Sequence, residues 1–245
     1  MTYSPRRWPA RPNDRFEPLD DNLWTVSVPL PRGPMARRMA VVRLSDGRLL
    51  LHNTVPLAEP AMRALEALGR PAILVVPTGQ HRLGTREWKA RYPQLSVICP
   101  REARAAVAAA VPVDGGWESL PLDPVVAVEP LVGSRTGEAA LVVRSGGGAR
   151  ASLLFGDTVM NLPHQPGMRG LVLRLVGSSG GPRVTPTARW LTVRDPGALA
   201  RTLLRLAETP GLARLIPSHG DVVERSAPDV LRRVARRLGG TNRRA

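Results

Sequence analysis

At 245 residues the chain is long enough to bury a full core, and its single cysteine, Cys99, excludes a disulfide framework and a thiolate-rich metal site. The net charge of +15 comes from 35 basic residues of which only Lys89 is lysine, so it favours polyanions in general yet fits a compositional bias toward arginine equally well. No apolar run has the length that crosses a bilayer, and Arg6, Arg7, Arg11 and Arg15 are followed by no apolar segment; neither a membrane partner nor an export signal is expected, and the default location is cytoplasmic.

Residues 1–20, rich in proline and arginine, read as a flexible arm. Leu23 to Val28 alternates as a strand does, and a loop follows from Pro29 to Pro34. Met39 to Leu44 and Arg48 to His52 flank Ser45-Asp46-Gly47, a hairpin signal in which glycine supplies positive φ. Pro60 opens a helix whose Met62, Leu65 and Leu68 share one face, and Gly69 closes it. Ala72 to Val76 reads as a short strand buried on both faces; Pro77 stops it, and Thr78-Gly79-Gln80 delivers His81 at its carboxyl end. Arg86 to Tyr92 and the alanine-rich Arg101 to Ala110 read as helices on either side of a strand from Ser96 to Cys99.

The second half repeats this order. Val125 to Val128 is a strand, and Ala139 to Val143 and Ala151 to Phe155 flank the turn Ser145-Gly146-Gly147-Gly148, with Gly156-Asp157 at the end of the hairpin. Residues 158–194 take no assignment, and Leu171 to Val176 reads equally as helix or strand. Asp195 is an N-cap with Pro196 at the first helical position, and Leu199, Leu203 and Leu206 form the buried stripe. A strand from Ala213 to Ile216 then leads through Pro217-Ser218 to His219. Ser226-Ala227-Pro228-Asp229 has the spacing of a capping box before a last helix, with Leu231, Val234 and Leu238 inward and Arg232, Arg233, Arg236 and Arg237 outward; residues 239–245 form a basic tail.

Each half is therefore hairpin, helix, strand and histidine loop. Two such halves, at about 21–115 and 120–238, pair face to face as two sheets with helices outside, in one domain. Open α/β sheets carry their chemistry beyond the carboxyl ends of strands, where His52, His81, Asp157 and His219 would share one edge.

With these motifs in place, the chain resembles a degenerate member of the metallo-β-lactamase superfamily over about residues 20–238. In that superfamily a strand ends in Thr followed by a His-x-His-x-Asp-His cluster. Here Thr78-Gly79-Gln80-His81-Arg82-Leu83-Gly84 stands in its place, matching only the second histidine. A Gly-His-Thr-x-Gly turn becomes Gly133-Ser134-Arg135-Thr136-Gly137, Phe155-Gly156-Asp157 matches the bridging aspartate, and His219-Gly220 matches the last histidine. The resemblance implies an α/β fold, the αββα sandwich of that superfamily, with His81, Asp157 and His219 as the remaining metal ligands. His52, Thr78, Gln80 and Ser134 are expected to support the ligands or a bound molecule. In the superfamily His81 and His219 serve different ions, so a single ion would have to sit between them. The resemblance thus implies a hydrolase-like protein with a reduced centre, holding one zinc or other divalent transition metal or none, with no catalytic residue assigned. Two other readings stay open: an active single-metal hydrolase of small esters, lactones or phosphoesters, and a nucleic-acid-associated protein using its arginines. A small-molecule ligand belongs to the first two. Each histidine also reads as a hydrogen-bonded structural residue, and Asp157 as a turn residue.

Overall fold

The computed structural model describes residues 14–31 and 35–240, so residues 1–13 of the expected arm, residues 32–34 of the expected loop and most of the basic tail lie outside the described residues. Alternating apolar residues build two sheets. The first runs in the order β1 (Glu17–Asp20), β2 (Leu23–Pro29), β3 (Ala36–Arg43), β4 (Arg48–His52), β5 (Arg70–Val75) and β6 (Ser96–Ile98). The second has β10 (Leu212–Pro217), β9 (Arg150–Phe155), β8 (Ala139–Ser145) and β7 (Val126–Pro130) side by side.

The expected repetition is visible in the pairing. The β3–β4 hairpin turns at Gly47, whose φ of 81° needs no side chain, and β5 returns parallel to β4 after helix α1 (Glu59–Leu68). In the second half β8 and β9 form the hairpin and β10 returns parallel to β9. Both crossovers leave the carboxyl ends of β4, β5, β9 and β10 on the edge that carries the histidine loops.

The core lies in three layers. Between the sheets, Val42, Leu50, Ile73 and Val75 meet Leu141, Val143, Leu154 and Ile216. On the far side of the first sheet, Leu49, Leu51 and Leu74 pack on Met62 and Leu65 of α1, Trp88 of α2 (Thr85–Arg91) and Val107 of α3 (Arg104–Ala108). Ile73 and Val75 thus face one layer and Leu74 the other, which is why β5 is apolar without alternation. Beyond the second sheet, Leu153 and Phe155 pack on Leu199 and Leu203 of α6 (Pro196–Leu206) and on Leu231 and Val234 of α7 (Ala227–Gly240). This is an αββα sandwich, as the sequence led us to expect. The side chain of Asp195 caps α6, its Oδ1 accepting from the Ala198 N–H at 2.9 Å.

Several expectations are corrected. Residues 17–20 belong to β1 and pair with β2, so the arm does not extend to residue 20. Asp20 fastens this strand to the other sheet: its carboxylate accepts from Arg150 of β9 and from Arg214 of β10 at 2.9 Å. The helix expected from Arg101 to Ala110 is a 3-10 turn at Arg101–Ala103 followed by the five-residue α3. Ser226 has φ of 52°, unlike the extended backbone of an N-cap residue. The segment 158–194 contains two helices, α4 (Gly167–Leu175) and α5 (Pro186–Thr192), with Thr185 capping the second through the Ala188 N–H. Gly239 and Gly240, expected in the tail, continue α7.

Candidate metal centre

Pro77 ends the buried run of β5, and Thr78 turns the chain into a short 3-10 turn at Gly79–His81 by accepting the Gln80 N–H. That turn points His81 inward, where it is 2% exposed. Asp157 follows β9 and His219 follows β10, and Ser218 holds this last loop against β9 by donating N–H and Oγ–H to the Phe155 carbonyl at 3.0 and 2.9 Å. Gly220 comes next with φ of 91°; a Cβ there would run into the Asn161 carbonyl oxygen, so only glycine lets the loop pass.

Three donor atoms from three elements consequently meet. The His81 Nε2 lies 3.0 Å from Asp157 Oδ1, the His219 Nε2 lies 3.5 Å from the same oxygen, and the two Nε2 atoms are 3.3 Å apart. The rest of each side chain is fixed from outside. His219 Nδ1–H donates to the Ala36 carbonyl at 2.7 Å, which directs the Nε2 lone pair at the cluster. Thr78 Oγ1–H donates to Asp157 Oδ2 at 2.9 Å and leaves Oδ1 facing the imidazoles. Burial pushes the His81 imidazole down to about 4, against the pull of Asp157, so the ring is neutral near pH 7. Burial alone would raise Asp157, but the two imidazoles outweigh it and hold the carboxylate well below its ordinary value.

The other residues expected to support the site fall in different places. His52, 2% exposed at the end of β4, has its Nε2 without a partner among the described residues, and burial pushes it down to about 3. Gln80 is exposed, and its backbone carbonyl accepts from Arg37 at 3.3 Å. Ser134 closes its own turn, its Oγ accepting the N–H of Thr136 at 3.2 Å and of Glu138 at 3.3 Å. Thr78 is the one of the four that hydrogen-bonds a cluster side chain.

Three residues that sequence reasoning passed over organise the site. Glu138 is 1% exposed, and its carboxylate accepts the N–H groups of Gly156, Asp157 and Thr158 and the Thr158 hydroxyl at 2.8 to 3.4 Å. Burial and the charge of Asp157 push Glu138 up to about 7, against these donors. Arg37 and Arg38, neighbours on β3, reach opposite ways. Arg37, 3% exposed, donates to the carbonyls of Gln80, His81 and Leu83. Arg38 donates to the carbonyls of Pro217 and Gly220. One strand end thus braces both histidine loops, a pairing in space that adjacent arginines in sequence do not announce.

At two of the positions where the resemblance implies further ligands, a Cβ on Gly79 would lie 3.2 Å from the Ala106 Cβ, and Gly84 has φ of 89° as it enters α2. A cavity of about 660 Å³ opens over the cluster, floored by His81, Asp157 and His219 and walled by apolar side chains such as Leu30, Met35, Leu162, Leu173 and Leu191.

No family model matches the chain, and no curated protein matches it. Solved structures do. The DIM-1 metallo-β-lactamase exposed to ceftazidime superposes with a TM-score of 0.61 at 16% identity, covering 92% of this chain and 98% of that one. A metallo-β-lactamase from Pontibacter korlensis gives 0.61 at 16% identity over 91% and 99% of the two chains. FIM-1 from Pseudomonas aeruginosa, in its mono-zinc form, gives 0.58 at 12% identity over 94% and 98%. The sheet order, the four layers and these superpositions agree: this chain has the metallo-β-lactamase fold.

Proposed function

We propose that His81, Asp157 and His219 hold one divalent transition-metal ion, zinc foremost, in a reduced centre that hydrolyses a small ester, lactone or phosphoester. The observation that carries this is the spacing of the donors. A tetrahedral zinc with bonds of about 2.0–2.1 Å keeps its ligand atoms about 3.3 Å apart. The three separations here are 3.0, 3.3 and 3.5 Å, so one ion fits between two histidines that resemblance alone would give to different ions. Three protein donors leave a fourth position open to water or substrate.

When bound, such an ion supplies Lewis acidity toward a carbonyl or phosphoryl oxygen and toward water. The chain's own groups prepare the place: His81 is neutral near pH 7, Asp157 is charged, and Ala36 and Thr78 fix the orientation of His219 and Asp157. The apolar walls suit a substrate whose body is hydrocarbon and whose reactive group reaches the floor. A second ion finds no imidazole or carboxylate at Gly79, Leu83, Gly84 or Ser134, and the Arg37 guanidinium places a fixed positive charge close enough to depress His81.

Metal analysis of untagged protein tests this. One zinc per chain is expected, falling below a tenth of that in His81→Ala and His219→Ala, together with metal-dependent turnover of a chromogenic ester or phosphoester. Two tightly held ions would overturn the reduced centre, and no uptake on titration would overturn the metal reading.

A further inference from the structure

Seven of the ten large apolar residues that stand exposed among the described residues fall between Met168 and Leu191. On α4 they are Met168, Leu171, Val172 and Leu175, with Val176 just beyond, a spacing of i, i+3, i+4, i+7 and i+8. That is the stripe a helix normally turns to a core. Here Met168 is 75% and Leu175 76% exposed, and Trp190 on α5 adds a ring that is 77% exposed. Isolated exposed leucines need no explanation, but a stripe of this size does.

The charge of the same stretch indicates what covers it. Between Asp157 and Asp195 the sequence holds Arg169, Arg174, Arg183, Arg189 and Arg194 and not one Asp or Glu. Arg174, between Val172 and Leu175 in sequence, and Arg194, three residues after Leu191, are exposed. A second copy of the chain is a poor occupant, because apposing this stretch with itself sets arginine against arginine and supplies no carboxylate. A surface that is apolar beneath and anionic above suits it better.

We propose that the α4–α5 face docks on an anionic lipid bilayer, with the α4 stripe and Trp190 sunk among the acyl chains and Arg174 and Arg194 at headgroup level. The expectation of no membrane partner rested on spanning segments. Among the described residues no helix is long and apolar enough to cross, and docking in the interface requires none. Leu191 belongs both to the exposed face and to the cavity wall, so docking sets the cavity beside the leaflet. The docking is independent of any metal at the centre.

The test is flotation of the full chain with vesicles of equal parts phosphatidylglycerol and phosphatidylcholine, compared with phosphatidylcholine alone. The wild type is expected to float with the anionic vesicles and not with the neutral ones. Leu171→Glu/Leu175→Glu should lower the partition coefficient roughly tenfold or more. Both positions are exposed, so the fold is not at stake, and an unchanged thermal melt checks that. Leu122→Glu/Leu204→Glu makes the same charge change at exposed apolar residues outside the stretch and should bind like the wild type. Loss of binding in both double variants would reduce the effect to general charge and overturn the proposal. So would the absence of flotation at low salt, or a dimer of the wild type that the Leu171/Leu175 variant converts to monomer.

Discussion

His81 and His219 look alike in sequence, each following a strand, a proline and a small hydroxyl residue, but their rings are held differently. His219 has its tautomer fixed by the Ala36 carbonyl, whereas the Nδ1 of His81 has no partner among the described residues. His81 Nε2, 3.0 Å from Asp157 Oδ1 and 3.3 Å from His219 Nε2, is placed to donate within the cluster, and a metal ion bound there would displace that proton. The buried imidazoles also set the acid limit of the metal-free protein. The unfolded chain protonates its histidines near 6.5, but His81 waits until about 4 and His52 until about 3. Their contribution to folded-state stability is then complete above about 6.5 and lost as the pH falls below it. Glu138 acts the other way, since its folded value of about 7 lies above the ordinary 4.5 and its contribution fades as the pH rises between them. Two histidines outweigh one glutamate. In urea titrations at pH 5 and pH 7, His52→Gln should recover about 2 kcal/mol of the stability the wild type loses on acidification; a variant that loses as much as the wild type would refute this origin.

The elements that carry His81, Asp157 and His219 were legible because their signals are local. The apolar run Ala72 to Val76 cannot be an exposed strand, Gly47 cannot be anything but a turn, and Asp195-Pro196 marks a helix start that the structure reproduces. The strand ends that deliver His81, Asp157 and His219 follow from them. Glu138, Arg37 and Arg38 were not legible, because each acts on backbone groups brought near only by the fold. Helix α4 was missed for another reason: its stripe has helical spacing but lies in a glycine-rich stretch and faces solvent, so no core confirms it. The loops themselves are as constrained as the strands. Gly220 combines a left-handed φ with backbone contact to Asn161, so Gly220→Ala should cost at least about 2 kcal/mol in denaturant unfolding and weaken zinc binding together with it. An alanine variant with wild-type stability and metal affinity would show that the loop has slack.

Across the whole molecule the two sheets are joined by the apolar layer between them and by polar ties, among them the ion pairs of Asp20. Its side chain is 2% exposed, Arg150 and Arg214 hold its carboxylate far below the ordinary range, and both belong to the opposite sheet. Asp20→Asn keeps the shape and removes the charge, leaving Arg214 short of its partner. The expected loss is about 2 kcal/mol in unfolding free energy, with no change in metal stoichiometry, and thermal or urea melts beside metal analysis measure both. The grip of β3 on the histidine loops has a consequence in time. The contacts that shape the His219 loop, from Ala36 and Arg38, span 179 to 183 residues of sequence, while those to the His81 loop span only 43 to 46. Contacts between such distant parts of a chain close late, after the short-range hairpins have formed. In a chain growing from its N-terminus the partners of the Arg37–His81 contacts are made long before the loop that Arg38 holds, and the three donors can meet only when the last strand is in place: the trio is a product of finished folding, and no early fragment of the chain contains it.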